Sequence, residues 1–195
     1  SAFGDAVSSG ETAYNIAGIS YNDYIKDYFE DIGVLEDYNK SFSKKNYKLS
    51  DMLKDLNNNS YNNKEKMRIK QAIDKSHVIT ISFGEDELTK QAITKDLNDK
   101  VIRDFLNNYD ILLTEIRKIN HNKIFVIGIY ENEFLEQSRT IIINAELSNL
   151  ARKHNCEFVN IESLLTNEDF FLNKKSYYFS YRAHEIISKT IINSL

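Results

Sequence analysis

The sequence has no proline, no tryptophan, one cysteine and six glycines in 195 residues. A single thiol, Cys156, excludes a disulfide framework, and with only four histidines there is little from which to build a Cys/His zinc site. There is no basic excess: 25 Lys and Arg stand against 29 Asp and Glu, a net charge of −4. That balance argues against nucleic acid as a partner, because phosphate contacts need clustered cations. No apolar run approaches the ~20 residues needed to span a bilayer. What remains is ordinary for a soluble globular chain, 42% hydrophobic and 28% charged. Length and the lack of repeats or linkers predict one domain over 1–195 with a sizeable core. Asn, Lys and Ile abound, the bias of an AT-rich genome. No signal peptide is visible, and the Ser-Ala-Phe start reads as cropped, which leaves room for a membrane anchor upstream.

Three apolar runs read as buried strands: 78–83 (VITISF), 124–130 (IFVIGIY) and 158–161 (FVNI). The first two are β-branched and continuous rather than alternating, as in strands covered on both faces. Residues 2–4 read as the end of a first strand, and 34–38 as a further one. Tyr21, Tyr24, Ile25, Tyr28, Phe29 and Ile32 form a stripe at helical spacing. Helices are also predicted through 101–116, 141–153 and 186–195. The Asn-rich stretch 57–66 reads as a solvated loop, or as the start of a helix through Met67, Ile69 and Ile73. Strands alternating with helices imply right-handed crossovers and a parallel sheet. The expected fold class is α/β: a three-layer α/β/α sandwich, flavodoxin-like, with about five strands.

Ligands in such folds bind at the carboxyl ends of the strands. The segments there are GDAVSSG at 4–10, FGED at 83–86, and KSYYFSYRAHEII at 175–187 ahead of the last helix. In order and spacing these blocks resemble the SGNH, or GDSL-type, hydrolases, a family of esterases, lipases and carbohydrate deacetylases. The family opens on Gly-Asp-Ser-x-x-x-Gly, has Gly-x-Asn-Asp after a buried strand, and closes on an Asp-x-x-His block. The resemblance runs nearly the whole chain.

Carried over residue by residue, the resemblance implies a site without its chemistry. The nucleophile position is Ala6, which has no oxygen with which to form an acyl-enzyme. The backbone donor of the second block falls near Ser41 or Lys44. The Asn of the third block is read at Glu85, where a carboxylate would repel a developing oxyanion. The general base falls on Tyr178, a phenol mostly protonated at neutral pH, and the orienting Asp on Lys175. His184 falls at a structural position in the last helix.

Each sharp reading has a bland counterpart. Ser8 or Ser9 could replace the nucleophile, yet nucleophile geometry belongs to the strand-to-helix turn. Asp5, Glu85 and Asp86 could gather a hard cation. The plainer expectation is that Asp5 and Asp86 hold structural hydrogen bonds while Glu85 pairs with Lys175 or Lys44. Glu85 with Asp86 as a glycosidase-like pair is disfavoured by their adjacency. His77, His121 and His154 read as surface residues, and Cys156 as a small apolar residue entering a strand. Phe170, Phe171, Tyr177, Tyr178, Phe179 and Tyr181 form an aromatic cluster that either stacks on a ligand or packs beneath the last helix.

These readings yield no expected metal or cofactor. The leading functional expectation is a catalytically inactive hydrolase-like domain that binds a glycan, an acyl ligand or a protein partner through Asp5, Lys44, Glu85, Asp86, Tyr177 and Tyr178. The alternatives are an esterase or deacetylase whose catalytic Ser is replaced by Ala6, and a structural domain of a membrane-anchored assembly. The resemblance also implies an extracytoplasmic location.

Overall fold

The structure, a computed structural model, describes residues 1–12, 14, 16–165, 170–171 and 178–195. Five strands form one parallel sheet: β1 (Ala2–Gly4), β2 (Phe42–Ser43), β5 (Val78–Ser82), β6 (Lys123–Ile127) and β7 (Glu157–Val159), in the order β2-β1-β5-β6-β7. The register sets Phe3 beside Ile81 and Ile81 beside Val126. Strand periodicity then sends Ile79, Ile81, Ile124 and Val126 into one core and Phe125 and Ile127 into the other. This is why the runs look continuously apolar: both faces are covered.

The first face carries α3 (Leu49–Asn58), α4 (Ile69–Asp74), α5 (Glu85–Ile93), α6 (Asp99–Arg117) and α7 (Gln137–Lys153). The second carries α2 (Tyr21–Asp31) and α9 (Tyr181–Ile192), which pack on each other. Two one-turn helices, α1 (Ala6–Ser9) and α8 (Ile161–Leu164), follow β1 and β7. The α/β/α sandwich expected from the pattern is therefore the fold. No helix among the described residues is long and apolar enough to cross a membrane.

Three local expectations are corrected. Residues 34–38 form no strand; β1 pairs on that side with the two-residue β2, Phe3 beside Phe42. The stretch 57–66 is neither plain loop nor helix start, because β3 (Tyr61–Asn62) and β4 (Met67–Arg68) make a short antiparallel hairpin before α4. The last helix begins at Tyr181 rather than 186, with the Ser180 hydroxyl accepting the Ala183 N–H at 3.3 Å.

Two glycines shape the carboxyl end of the sheet. A Cβ on Gly4 would lie 2.2 Å from the Ser82 carbonyl oxygen, so the crossing from β1 into α1 beside β5 requires glycine. Gly84 has φ of +118°, and its Cβ would lie 2.8 Å from the Phe105 ring. Both turns aim the next residues at the space above β1 and β5.

Candidate functional site

Asp5, at the end of β1, is buried and acts as a backbone clamp. One carboxylate oxygen accepts the Val7 N–H at 3.2 Å. The other accepts the N–H groups of Gly84 at 3.0 Å and Asp86 at 3.1 Å. Burial, then the charges of Asp86 and Glu85, push its pKa well above the usual carboxylate range. The clamp fixes the turn after β1 against the turn after β5.

Ala6 is 2% exposed, and its backbone N–H donates to Asp86 Oδ2 at 3.3 Å. The Asn46 N–H donates to the same oxygen at 2.9 Å. Asn46 sits at φ of +62°, the left-handed conformation that Asn tolerates better than most residues. Two backbone donors from separate loops thus converge on one point, the geometry that stabilises an oxyanion. Here the point is occupied by a carboxylate of the chain itself. The other oxygen, Asp86 Oδ1, is buried with no hydrogen-bond partner.

This corrects the expectations for the second and third blocks. The acidic group facing Ala6 is Asp86 and not Glu85, and the second backbone donor is Asn46 rather than Ser41 or Lys44. The Ser41 N–H and hydroxyl are spent on Asn39 Oδ1, at 3.0 and 2.8 Å. Lys44 donates its N–H to the Gly4 carbonyl at 3.1 Å and lays its ammonium over the Tyr47 ring. Glu85 points toward the loop after β6, where it accepts the Tyr130 N–H at 3.2 Å and the Asn132 amide at 2.9 Å. Neighbours on a helix's first turn project about 100° apart, so only one of the two can face Ala6. Burial raises the Glu85 carboxyl to about 8. Its expected pairing with Lys44 does not form, and Lys175, like Tyr177, lies outside the described residues.

The alternative serine nucleophiles are committed elsewhere. Ser8 is fully buried, its hydroxyl 2.7 Å from that of Ser43 and accepting the Asn22 amide at 3.1 Å. Asn22 in turn accepts the Thr80 hydroxyl at 2.6 Å. Ser9 donates back to the Ala6 carbonyl at 3.1 Å. These hydroxyls stitch α1, α2, β2 and β5 together.

At the mouth, the Lys45 ammonium stands 4.9 Å from the centre of the Tyr178 ring and 3.5 Å from Glu11 Oε1. Burial pulls the Lys45 pKa down, but Tyr178 and Glu11 outweigh it and hold it above its ordinary value. Tyr178 therefore faces a cation, where a catalytic histidine would need a carboxylate partner. His184 is buried between Tyr21 and Phe179, and burial lowers it to about 4, so it is neutral at physiological pH. His154 is not free on the surface: its Nε2 lies 2.6 Å from Asp110. Phe170 and Phe179 are buried, and Phe171 packs between Tyr130 and Phe179. The described part of the aromatic cluster is mostly core, with Tyr181 exposed. No group of three or more His, Cys, Asp or Glu among the described residues is placed to hold a metal ion.

Two cavities occur away from this point. One of about 650 Å³ lies between α2 and the amino ends of the strands, lined by Ile25, Phe29 and Val78 among others. The second, about 550 Å³, runs between α6 and α7. Neither is lined by Asp5, Ala6 or Asp86.

A parallel sheet in this order, a Gly-Asp turn after the first strand and two converging backbone donors above it define the SGNH hydrolase fold, and the chain carries that fold. Solved structures agree over its whole length. A lipase from a goat rumen metagenome superposes with a TM-score of 0.77 at 17% identity, covering 99% of this chain and 95% of that one. A lipase/acylhydrolase from Enterococcus faecalis gives 0.71 at 18%, covering 99% and 92%. A catalytic mutant of an acetylxylan esterase from Geobacillus stearothermophilus gives 0.72 at 13%, covering 98% and 91%. No protein-family model and no curated protein matches the sequence.

Proposed function

We propose that this chain is a non-hydrolytic domain on the esterase fold, whose former reaction centre now buttresses the sheet while the protein works by binding. The observation that carries this reading is Asp86 Oδ2 resting on the Ala6 and Asn46 N–H groups. An acyl-transfer intermediate needs that position for its own negative oxygen. Two like charges about 3 Å apart repel by roughly 5 kcal/mol at an effective dielectric of 20. Beside it, Ala6 has no nucleophilic atom, and Tyr178 faces Lys45. Binding is supported by the rim: Tyr14, Ile16, Ile19 and Tyr181 are large apolar side chains left about half exposed or more, and the Tyr181 ring lies against Gly18 in the loop that follows α1. Tyrosine-rich surfaces of this kind suit a protein partner or a sugar ring.

Hydrolysis of p-nitrophenyl acetate by the wild type, Ala6→Ser and Ala6→Ser/Asp86→Asn tests the reading. The wild type and the single variant are expected to match buffer. Turnover by Ala6→Ser alone would refute the proposal and favour an esterase that has lost only its serine.

A further inference from the structure

The carboxyl end of α2 carries charge of the wrong sign for a helix. Between Tyr21 and Tyr38 the chain has six carboxylates, Asp23, Asp27, Glu30, Asp31, Glu36 and Asp37, against the single base Lys26. Glu30 and Asp31 close α2, whose last turn holds no basic residue. The carbonyl end of a helix favours cations, so acids there cost stability in the free chain. Local pairing relieves only part of this. Lys40 takes Asp23, and Lys26 is shared between Asp27 and Glu30. Asp31, Glu36 and Asp37 are exposed and have no ion pair among the described residues. Lys75 and His77, exposed on the far wall of the neighbouring cavity, do not pair with them.

The same end is apolar. Gly33, at φ of +73°, turns the chain: its N–H donates to the Glu30 carbonyl and the Val34 N–H to the Phe29 carbonyl, each at 3.0 Å. The turn leaves Ile32 51% and Val34 57% exposed, and Tyr28, one helical turn before Ile32, is partly exposed as well. Beside them opens the cavity of about 650 Å³, which Phe29, Val34, Glu36 and Asp37 help to line. Exposed apolar side chains, a pocket next to them and an uncompensated negative rim thus meet at one place.

We propose that this end of α2 docks a partner protein that presents lysines or arginines around exposed apolar side chains. The apolar groups cover Ile32 and Val34 and seat a side chain in the cavity, while the cations meet Asp31, Glu36 and Asp37. Covered apolar area supplies affinity, and the matched charges supply specificity. A cation placed here also relieves the helix end. A neutral sugar would leave the negative charge uncompensated, and an anionic membrane surface would be repelled. This surface shares no residue with the turn at Ala6, so its role holds whether or not the chain hydrolyses esters.

Fluorescence anisotropy on the intact chain, with a short amphipathic helical peptide of leucine and lysine and its leucine–glutamate counterpart, tests this. The lysine peptide should bind, more weakly as salt rises, and the glutamate peptide should not. Asp31→Lys/Glu36→Lys should raise the dissociation constant of the lysine peptide by roughly tenfold or more. Ile32→Ser/Val34→Ser should raise it by about fivefold or more. Glu146→Lys, an exposed change on α7 and away from the patch, should leave it unchanged. Asp31→Lys should also raise the melting temperature of the free chain, because it removes an acid from the helix end. All the substituted positions are exposed, so the fold is kept, and circular dichroism checks that it is. A lysine peptide that fails to bind up to about 1 mM overturns the proposal. Binding of the glutamate peptide overturns it, as does binding that ignores Ile32→Ser/Val34→Ser. A loss on Glu146→Lys equal to that on Asp31→Lys/Glu36→Lys overturns it too, since the attraction would then be to net negative charge and not to this surface.

Discussion

Glu85 makes stability depend on pH in a direction opposite to the usual carboxylate. Its ordinary value is 4.5, and burial raises it to about 8 in the fold, outweighing the hydrogen bonds from the Tyr130 N–H and the Asn132 amide that favour the ionised form. Between those values the unfolded chain has lost the proton and the native chain still holds it. The native state then binds more protons, so stability falls as pH rises. The contribution is complete below pH 4.5 and gone once pH passes 8. At about 1.4 kcal/mol per unit, the window from 4.5 to 8 corresponds to at most about 5 kcal/mol. Roughly 2 kcal/mol of that falls between pH 6.5 and 8. Groups that do not feel Glu85 are common to the wild type and a Glu85→Gln variant and cancel. Urea unfolding of both proteins at half-unit steps from pH 5 to 8.5 gives two profiles whose difference reports Glu85 together with its coupling to Asp5. The wild type should lose stability relative to the variant by about 1 kcal/mol or more per unit. Parallel profiles would show that Glu85 is ionised in the fold, and the argument from its burial would fail.

Two stability predictions follow from the packing. Gly4→Ala places a methyl 2.2 Å from the Ser82 carbonyl oxygen and 2.6 Å from Ser8 Cβ, so β1 must separate from β5. A loss of about 3 kcal/mol or more is expected, read as a lowered melting temperature or loss of soluble protein. Asn120 is buried; its amide donates to the carbonyls of Ile73 at 2.7 Å and Ser76 at 2.8 Å, and its oxygen accepts the Asn122 N–H at 2.7 Å. Asn120→Ala strands all three and should cost about 3 kcal/mol in urea unfolding; a cost under about 1 kcal/mol would mean that water replaces the amide.

The central strands and long helices were legible because burial on both faces leaves a continuous apolar run, and a packed helix leaves a stripe. The second strand was not. Phe42–Ser43 is two residues long, too short to carry a period, while the more apolar 34–38 offered a false candidate. The hairpin at 61–68 hid in polar sequence because its short strands bury little and rest on backbone pairing. At the site, the Gly-Asp-Ala turn, with Ala6 directly after Asp5, was readable directly. Which of Glu85 and Asp86 faces Ala6 was not, since that depends on how Gly84 launches α5. Asn46 did leave a trace: an Asn between Lys45 and Tyr47 is a residue suited to the left-handed turn it makes.

The carboxylate lodged on the Ala6 and Asn46 amides also bears on how such a protein can change. On the proposed reading, a serine placed at position 6 does nothing useful while Asp86 occupies the anion position, and relieving Asp86 does nothing useful while position 6 has no oxygen. Each step is silent without the other. A library that accepts substitutions one at a time on activity therefore meets a plateau with no upward slope. On this reading, the way back to hydrolysis is closed by the order in which the changes would have to arrive, although the fold still supports the geometry.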